Sequence, residues 1–246
     1  VCSSDLVVTG GAAAGTYFMS APNVAVINGG AADPVYWQQD TLNPNVTLSV
    51  ANSGVGVITQ AIDINANGSG TTSITSANPV TFSGPVTLQD VHSGVIDSKT
   101  LTINSTAAAG LGMVFSGIIG ESASGASDDV LALAKLGTGV LTLSGANTYK
   151  GGTSVSSGTL LVNNLTGSAT GVGSVSINGT SVLAGNGIIA PGAGSSISIG
   201  ANATLSVGSP ADVMGQEFRF NLQATNTVNI AGTVALQLFT NRSEER

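Results

Sequence analysis

Asp63-Ile64-Asn65-Ala66-Asn67-Gly68 sets three side-chain oxygens at alternate positions ahead of a glycine. That is the first half of a calcium-binding loop. The twelfth position from Asp63 is Ile74, where such a loop needs a bidentate glutamate. The run also follows a strand-like segment and not a helix, so an Asn-rich β-turn is the expected structure. Asp128-Asp129 offers a carboxylate pair for acid-base chemistry. Adjacent acids in a Ser/Gly stretch are expected to be solvated instead. His92 is the single histidine, and nothing in the sequence supplies the serine and aspartate of a hydrolytic triad around it. It is expected to be an exposed turn residue.

Gly151-Gly152-Thr153 and the other glycine pairs are not phosphate loops. No Gly-Lys-Ser/Thr and no helix follows them. The sequons at Asn45, Asn67, Asn104, Asn164, Asn178 and Asn202 are what an Asn- and Thr-rich composition supplies by itself. No residue is therefore assigned a catalytic, cofactor-binding or metal-binding role, no cofactor is expected, and the chain is read as not an enzyme.

The elements that must carry these residues are strands. The chain has 246 residues, of which only 8% are charged, yet its mean hydropathy is +0.36. Solubility must come from uncharged polar groups, and 30 Ser, 26 Thr, 19 Asn and 34 Gly supply them. Valine, isoleucine and leucine recur throughout, which separates the chain from a disordered Ser/Gly polymer. Aromatic residues make up 4%. A core of small and β-branched side chains suits closely packed strands, while Gly, Asn, Ser and Thr compete with helix. The net charge of -7 and 6 scattered Lys and Arg residues leave no basic patch to neutralise phosphates, so no nucleic-acid partner is expected. No apolar run reaches the roughly 20 residues of a membrane span.

Val1-Cys2-Ser3-Ser4-Asp5-Leu6 can be encoded by GTG TGC TCT TCC GAT CTN, and Arg242-Ser243-Glu244-Glu245-Arg246 by AGA TCG GAA GAG CGN. These strings resemble a common sequencing adapter and its reverse complement. Residues 1–6 and 242–246 are expected to be read-through and are set aside from fold reasoning. Cys2 goes with them, which leaves no thiol for a disulfide, a metal site or a nucleophile.

Short alternating runs separated by Gly, Asn, Ser or Asp predict strands at 24–27, 46–50, 57–64, 72–74, 80–82, 86–88, 101–103, 113–115, 130–133, 140–143, 153–155 and 159–162. Further strands are predicted at 174–177, 181–183, 197–199, 204–207, 217–222, 227–230 and 234–238. Spacings of 8–12 residues fit a sandwich, a barrel or a solenoid. A sandwich would call for aromatic anchors and two-residue hairpin turns. Units such as Ile197-Ser198-Ile199-Gly200-Ala201-Asn202-Ala203-Thr204-Leu205-Ser206-Val207 read instead as strand, Gly/Asn corner, strand. The expected fold is all-β, a single-stranded right-handed parallel β-helix (solenoid). At roughly 20–25 residues per coil it would have about ten coils and run for roughly 50 Å. Residues 7–45, with Tyr17, Phe18, Tyr36 and Trp37, are expected to be irregular or incomplete coils, and 46–241 the β-helix.

One stretch is specific. Residues 133–162 contain Lys135-Leu136-Gly137-Thr138-Gly139, Leu141-Thr142-Leu143, Ser144-Gly145-Ala146-Asn147-Thr148-Tyr149, Gly151-Gly152-Thr153 and Gly158-Thr159-Leu160. In that order they closely resemble the autotransporter-associated β-strand repeat, a passenger-associated transport repeat. Phe115-Ser116-Gly117-Ile118-Ile119-Gly120 resembles its lead-in, and Leu183-Ala184-Gly185-Asn186-Gly187-Ile188-Ile189-Ala190-Pro191-Gly192 its sequel. The resemblance is strong over about 115–207. It implies the passenger region of a bacterial autotransporter-like surface protein, secreted or on the outer face of the outer membrane of a Gram-negative cell. It also implies a repeat that aids passenger folding and export, and it brings no catalytic residue.

Strand alternation puts Leu141 and Leu143 on one face, expected to be inward, with Leu160 or Val162 closing a neighbouring side. Glycines 137, 139, 145, 151, 152 and 158 are expected at corners with positive φ. Asn147 is expected to bond its own neighbouring backbone at a turn. Tyr149 is expected to shield a coil edge and keep its hydroxyl wet.

The expected function is a structural or adhesive passenger stalk, with host or environmental surface glycans or proteins, and the rest of the parent chain, as partners. The alternative is a β-helical polysaccharide lyase or hydrolase. That chemistry needs clustered carboxylates, whereas the acids are dispersed and the basic residues outside the ends are Lys99, Lys135, Lys150 and Arg219. A fragment of an outer-membrane barrel would need longer strands and aromatic girdles.

Overall fold

The computed structural model describes strand residues 7–8, 17–19, 25–27, 35–38 and 45–50. It then describes 56–59, 61–66, 69–90, 96–108, 110–122, 129–207, 219–220 and 225–236. Among these residues there are strands and corners and no helix.

The architecture is a parallel β-helix. Ten strands form a first sheet: Val7–Val8, Ala25–Ile27, Asn45–Val50, Gly70–Ser76, Ser98–Ser105, Val130–Leu136, Thr153–Val155, Val175–Ile177, Ser196–Ile199 and Thr227–Ile230. Eight form a second: Gly56–Ile58, Val80–Phe82, Gly112–Phe115, Val140–Leu143, Thr159–Val162, Val182–Gly185, Thr204–Val207 and Thr233–Leu236. A third holds Tyr17–Met19, Val35–Gln38, Ile62–Ala66, Val86–Asp90 and Ile119–Glu121. Spatial order follows chain order within each sheet, as when a chain winds round one axis. Ten rungs at about 4.8 Å make a rod of about 45 Å.

Period-2 alternation decides which residues enter the bore. Val130–Leu136 alternates partly exposed and buried along its length, as do Gly70–Ser76 and Thr159–Val162. Parallel register then stacks each inward residue on its counterpart. In the second sheet Val80, Met113, Leu141, Leu160, Leu183 and Leu205 form one buried column. Phe82, Phe115, Leu143 and Val162 form another, with the two phenylalanine rings stacked at 4.6 Å between centroids. In the first sheet Leu48, Ile74, Ile103, Lys135, Val155, Ile177 and Ile199 line up.

Several expectations are corrected. The run 57–64 is two strands, Gly56–Ile58 and Ile62–Ala66, because a corner separates its two apolar halves. Ile119–Glu121 and Ile188–Ile189 are strands too short for alternation to reveal them. Coil length is not uniform: Ile103 pairs with Lys135, 32 residues on, whereas Lys135 pairs with Val155, only 20 on. Four of the twelve extra residues fall between the first sheet and the second, since Met113 lies 10 residues after Ile103 but its partner Leu141 only 6 after Lys135, and the other eight come after Met113. Leu160 and Val162 do face inward, but they lie directly on Leu141 and Leu143 in the same sheet and not on a neighbouring side.

Candidate functional site

Asp63 sits on the third sheet, half-buried, and its Oδ1 accepts a bond from Gln89 Nε2 of the next coil at 3.2 Å. Ile74, at the calcium loop's last position, is wholly buried in the first sheet. Its side chain is committed to the core. His92 and Asp128 lie outside the described residues. Asp129 corrects the expectation of solvation: it is buried, and its Oδ1 accepts the amide of Asp97 at 2.8 Å. Of the sequon asparagines, Asn178 and Asn202 are exposed. Asn164 is buried, with Oδ1 accepting from the Ile188 amide at 2.8 Å and Nδ2 donating to Thr166 O at 3.0 Å.

Charge gathers at one corner, where the third sheet gives way to the first. Asp97, Lys99 and Asp129 share inward parity with the leucines that follow them, and all three are buried. Lys99 pairs in register with Leu131, so Asp129 stands two residues back, just ahead of the neighbouring strand. The Lys99 Nζ is buried and makes no hydrogen bond. Burial holds this lysine below its usual pKa, an effect that Asp97 and Asp129 partly offset. Above them, Glu121 Oε1 accepts the amides of Leu131 at 2.9 Å and Lys150 at 2.8 Å. Lys150 Nζ reaches Asp129 O at 3.4 Å.

The next two coils are held differently. Lys135 is fully buried within a column of aliphatic side chains. Its ammonium donates to Leu136 O at 2.7 Å, Gly137 O at 2.7 Å and Ser157 O at 3.2 Å. The glycine corner turns carbonyls inward, and the ammonium satisfies them. Asn147 does not bond its own turn. Its Oδ1 accepts from the Ile119 amide at 2.8 Å, and its Nδ2 donates to Ala169 O at 2.5 Å. Tyr149 is not a wet edge residue either. It is fully buried and fills the bore where other coils carry aliphatic residues, with its hydroxyl 2.6 Å from Thr153 Oγ1. Burial pushes its phenol above the usual range, against the Thr153 bond and with a small push from Glu121.

Among the corner glycines, Gly137 and Gly158 have positive φ, 75° and 70°. The others are needed because an adjacent coil is too close for a side chain: a Cβ on Gly151 would lie 2.5 Å from Leu131 O of the preceding coil.

Residues 133–162 match the passenger-associated-transport-repeat family. No curated protein matches the chain, and no solved structure matches it.

The passenger-associated-transport repeat thus begins on the strand that carries Lys135 and ends with Val162, spanning the tight coils directly above the charged corner. In the sequence Lys135 stands out only as part of the repeat, and Lys99 only as dispersed charge. The signal that could reveal both is parity. Leu131, Leu133 and Lys135 alternate together, as do Lys99, Leu101 and Ile103, so inward leucines require inward lysines.

Proposed function

We propose that the chain is a rod-like passenger segment, carried outside the cell, whose repeat coils form the stable unit on which the remaining coils stack during export. The observation that carries this reading is the set of buried groups that tie the repeat to its neighbours, Lys135 to the coil above and Asn147 to the coils on both sides. Lys135, Asn147 and Tyr149 each satisfy or fill the bore there, and the spacing per coil falls to 20 residues. A solenoid's coils contact only their neighbours, so folding spreads from its most stable repeat. A chain that folds as it emerges, one coil at a time, resists sliding back. Host or environmental surface glycans or proteins remain the proposed partners of the outward faces. The first sheet's outward residues Ser154, Ser176 and Ser198 are small and uncharged, which favours a neutral partner.

The test places the full chain between an export signal and an autotransporter translocator barrel in a Gram-negative bacterium and measures protease-accessible passenger on intact cells. Leu143→Asp should reduce the surface signal several-fold at unchanged synthesis, while Leu165→Ser, at an 89% exposed position, should not. Equal display of both variants would contradict the export role.

A further inference from the structure

We propose that Lys99 and Asp129 are joined by an intramolecular isopeptide bond that staples the strand Ser98–Ser105 to the strand Val130–Leu136. Both side chains are fully buried, 1% exposed each. The Lys99 Nζ makes no hydrogen bond, and the register sets it between Asp97, two residues back on its own chain segment, and Asp129 on the next coil. A buried ammonium without a hydrogen-bond partner is costly, and a buried amine is a competent nucleophile. The register makes Asp129 the acceptor. Lys99 pairs with Leu131, so Asp129 is its diagonal neighbour on the next coil, within the reach of a lysine. Asp97 lies two residues before Lys99, just ahead of the same strand, where a bond would have to close a cramped ring along the backbone.

The surroundings fit the chemistry. The ammonium proton passes to Asp129, which gives a neutral amine and a carboxylic acid. Lys99 Nζ attacks Asp129 Cγ. The Asp97 amide, 2.8 Å from Asp129 Oδ1, stabilises the negative oxygen of the tetrahedral intermediate. The Asp97 carboxylate takes a proton from Nζ and hands it to the departing hydroxyl. The N–C bond forms, the C–O bond breaks, and one water leaves. No oxidant, metal or cofactor takes part. Two buried charges become one neutral amide, so the burial that penalises the ions drives the condensation.

The deciding experiment is the intact mass of the purified full chain, fully denatured, followed by peptide mapping. The expected mass is lower than that of the sequence by one water, with a branched peptide joining Lys99 to Asp129 and no tryptic cleavage after Lys99. Lys99→Arg and Asp129→Ala should each restore the full mass, and Asp97→Ala should slow or abolish bond formation. A wild-type mass equal to that of the sequence, with Lys99 recovered in linear peptides, overturns the proposal. So does a branch that maps to any other pair. The wild-type mass is decisive even if a variant fails to fold.

Discussion

The side-chain carbonyl of Asn147 accepts the amide of Ile119 at 2.8 Å across 28 residues of chain. The other end of the same side chain donates to Ala169 O, 22 residues ahead. One amide group thus ties three successive coils. Asn147→Ala would leave a buried donor and a buried acceptor without partners, each worth about 1–3 kcal/mol. Urea unfolding should show a loss in that range or above. Asn147→Asp should retain the bond to Ile119 and set a carboxylate against the Ala169 carbonyl, so it should also be less stable than the parent.

Leu143 lies between Phe115 and Val162 in a fully buried column. Leu143→Ala should cost about 2–5 kcal/mol, the usual range for a buried leucine. A one-dimensional core offers no distant packing to absorb the cavity. Leu165→Ala should stay within about 0.5 kcal/mol, because that side chain is exposed. Denaturant melts of the two variants check the inward assignment and with it the register of the repeat.

Stability should vary with pH in two opposed steps. Burial holds Lys135 down at about 8, against 10.5 in the unfolded chain. Between these values the unfolded state binds more protons, so stability rises with pH. Tyr149 is shifted the other way. It stays protonated in the fold while the unfolded phenol ionises near 10, so its contribution is full below that pH and is lost as pH climbs further. Melts should show stability rising from pH 8 toward 10. Lys135→Met should reduce the rise, to which the buried Lys99 also contributes, and Tyr149→Phe should remove the decline above it.

The alternation of Val140-Leu141-Thr142-Leu143 makes the second sheet legible in the sequence, because a period of two has one structural meaning when small turn residues bound it. The strands Val80–Phe82, Val140–Leu143, Thr153–Val155, Thr159–Val162, Thr204–Val207 and Thr227–Ile230 have the expected limits. The third sheet is harder to read, since Ile119–Glu121 spans three residues and Tyr149 replaces a strand side chain in the repeat coil. The charged corner is hidden for another reason. Lysine and aspartate are usually solvated, and only the inter-coil register brings Asp97, Lys99 and Asp129 together. Asn147 reads as a local turn former because its partners, Ile119 and Ala169, are remote in sequence.

Glycines at the corners should separate into two classes. Gly194 has φ of 78° and open space where a Cβ would stand, whereas a Cβ on Gly158, at φ 70°, would lie 2.5 Å from both Gly137 O and Gly139 O. Gly194→Ala should cost only the left-handed backbone penalty, about 1–2 kcal/mol. Gly158→Ala should cost more, since two carbonyls must move as well. Thermal melts of the pair should rank them in that order, and equal losses would show that the coil contact is slack.

On the function proposed above, the passenger-associated-transport repeat is the most stable part of the rod. Native-state hydrogen exchange on the full chain tests it most directly, because it reads local opening amide by amide. The amides of Ile119, Leu133, Asn147, Thr153 and Ala169, each bonded between coils of this region, should exchange slowest and only with the largest openings. Those in Gly70–Ser76, two coils below the repeat, should exchange faster. The opposite order, with the amides of 133–162 opening first, would show that the repeat is not the stable unit on which the other coils stack.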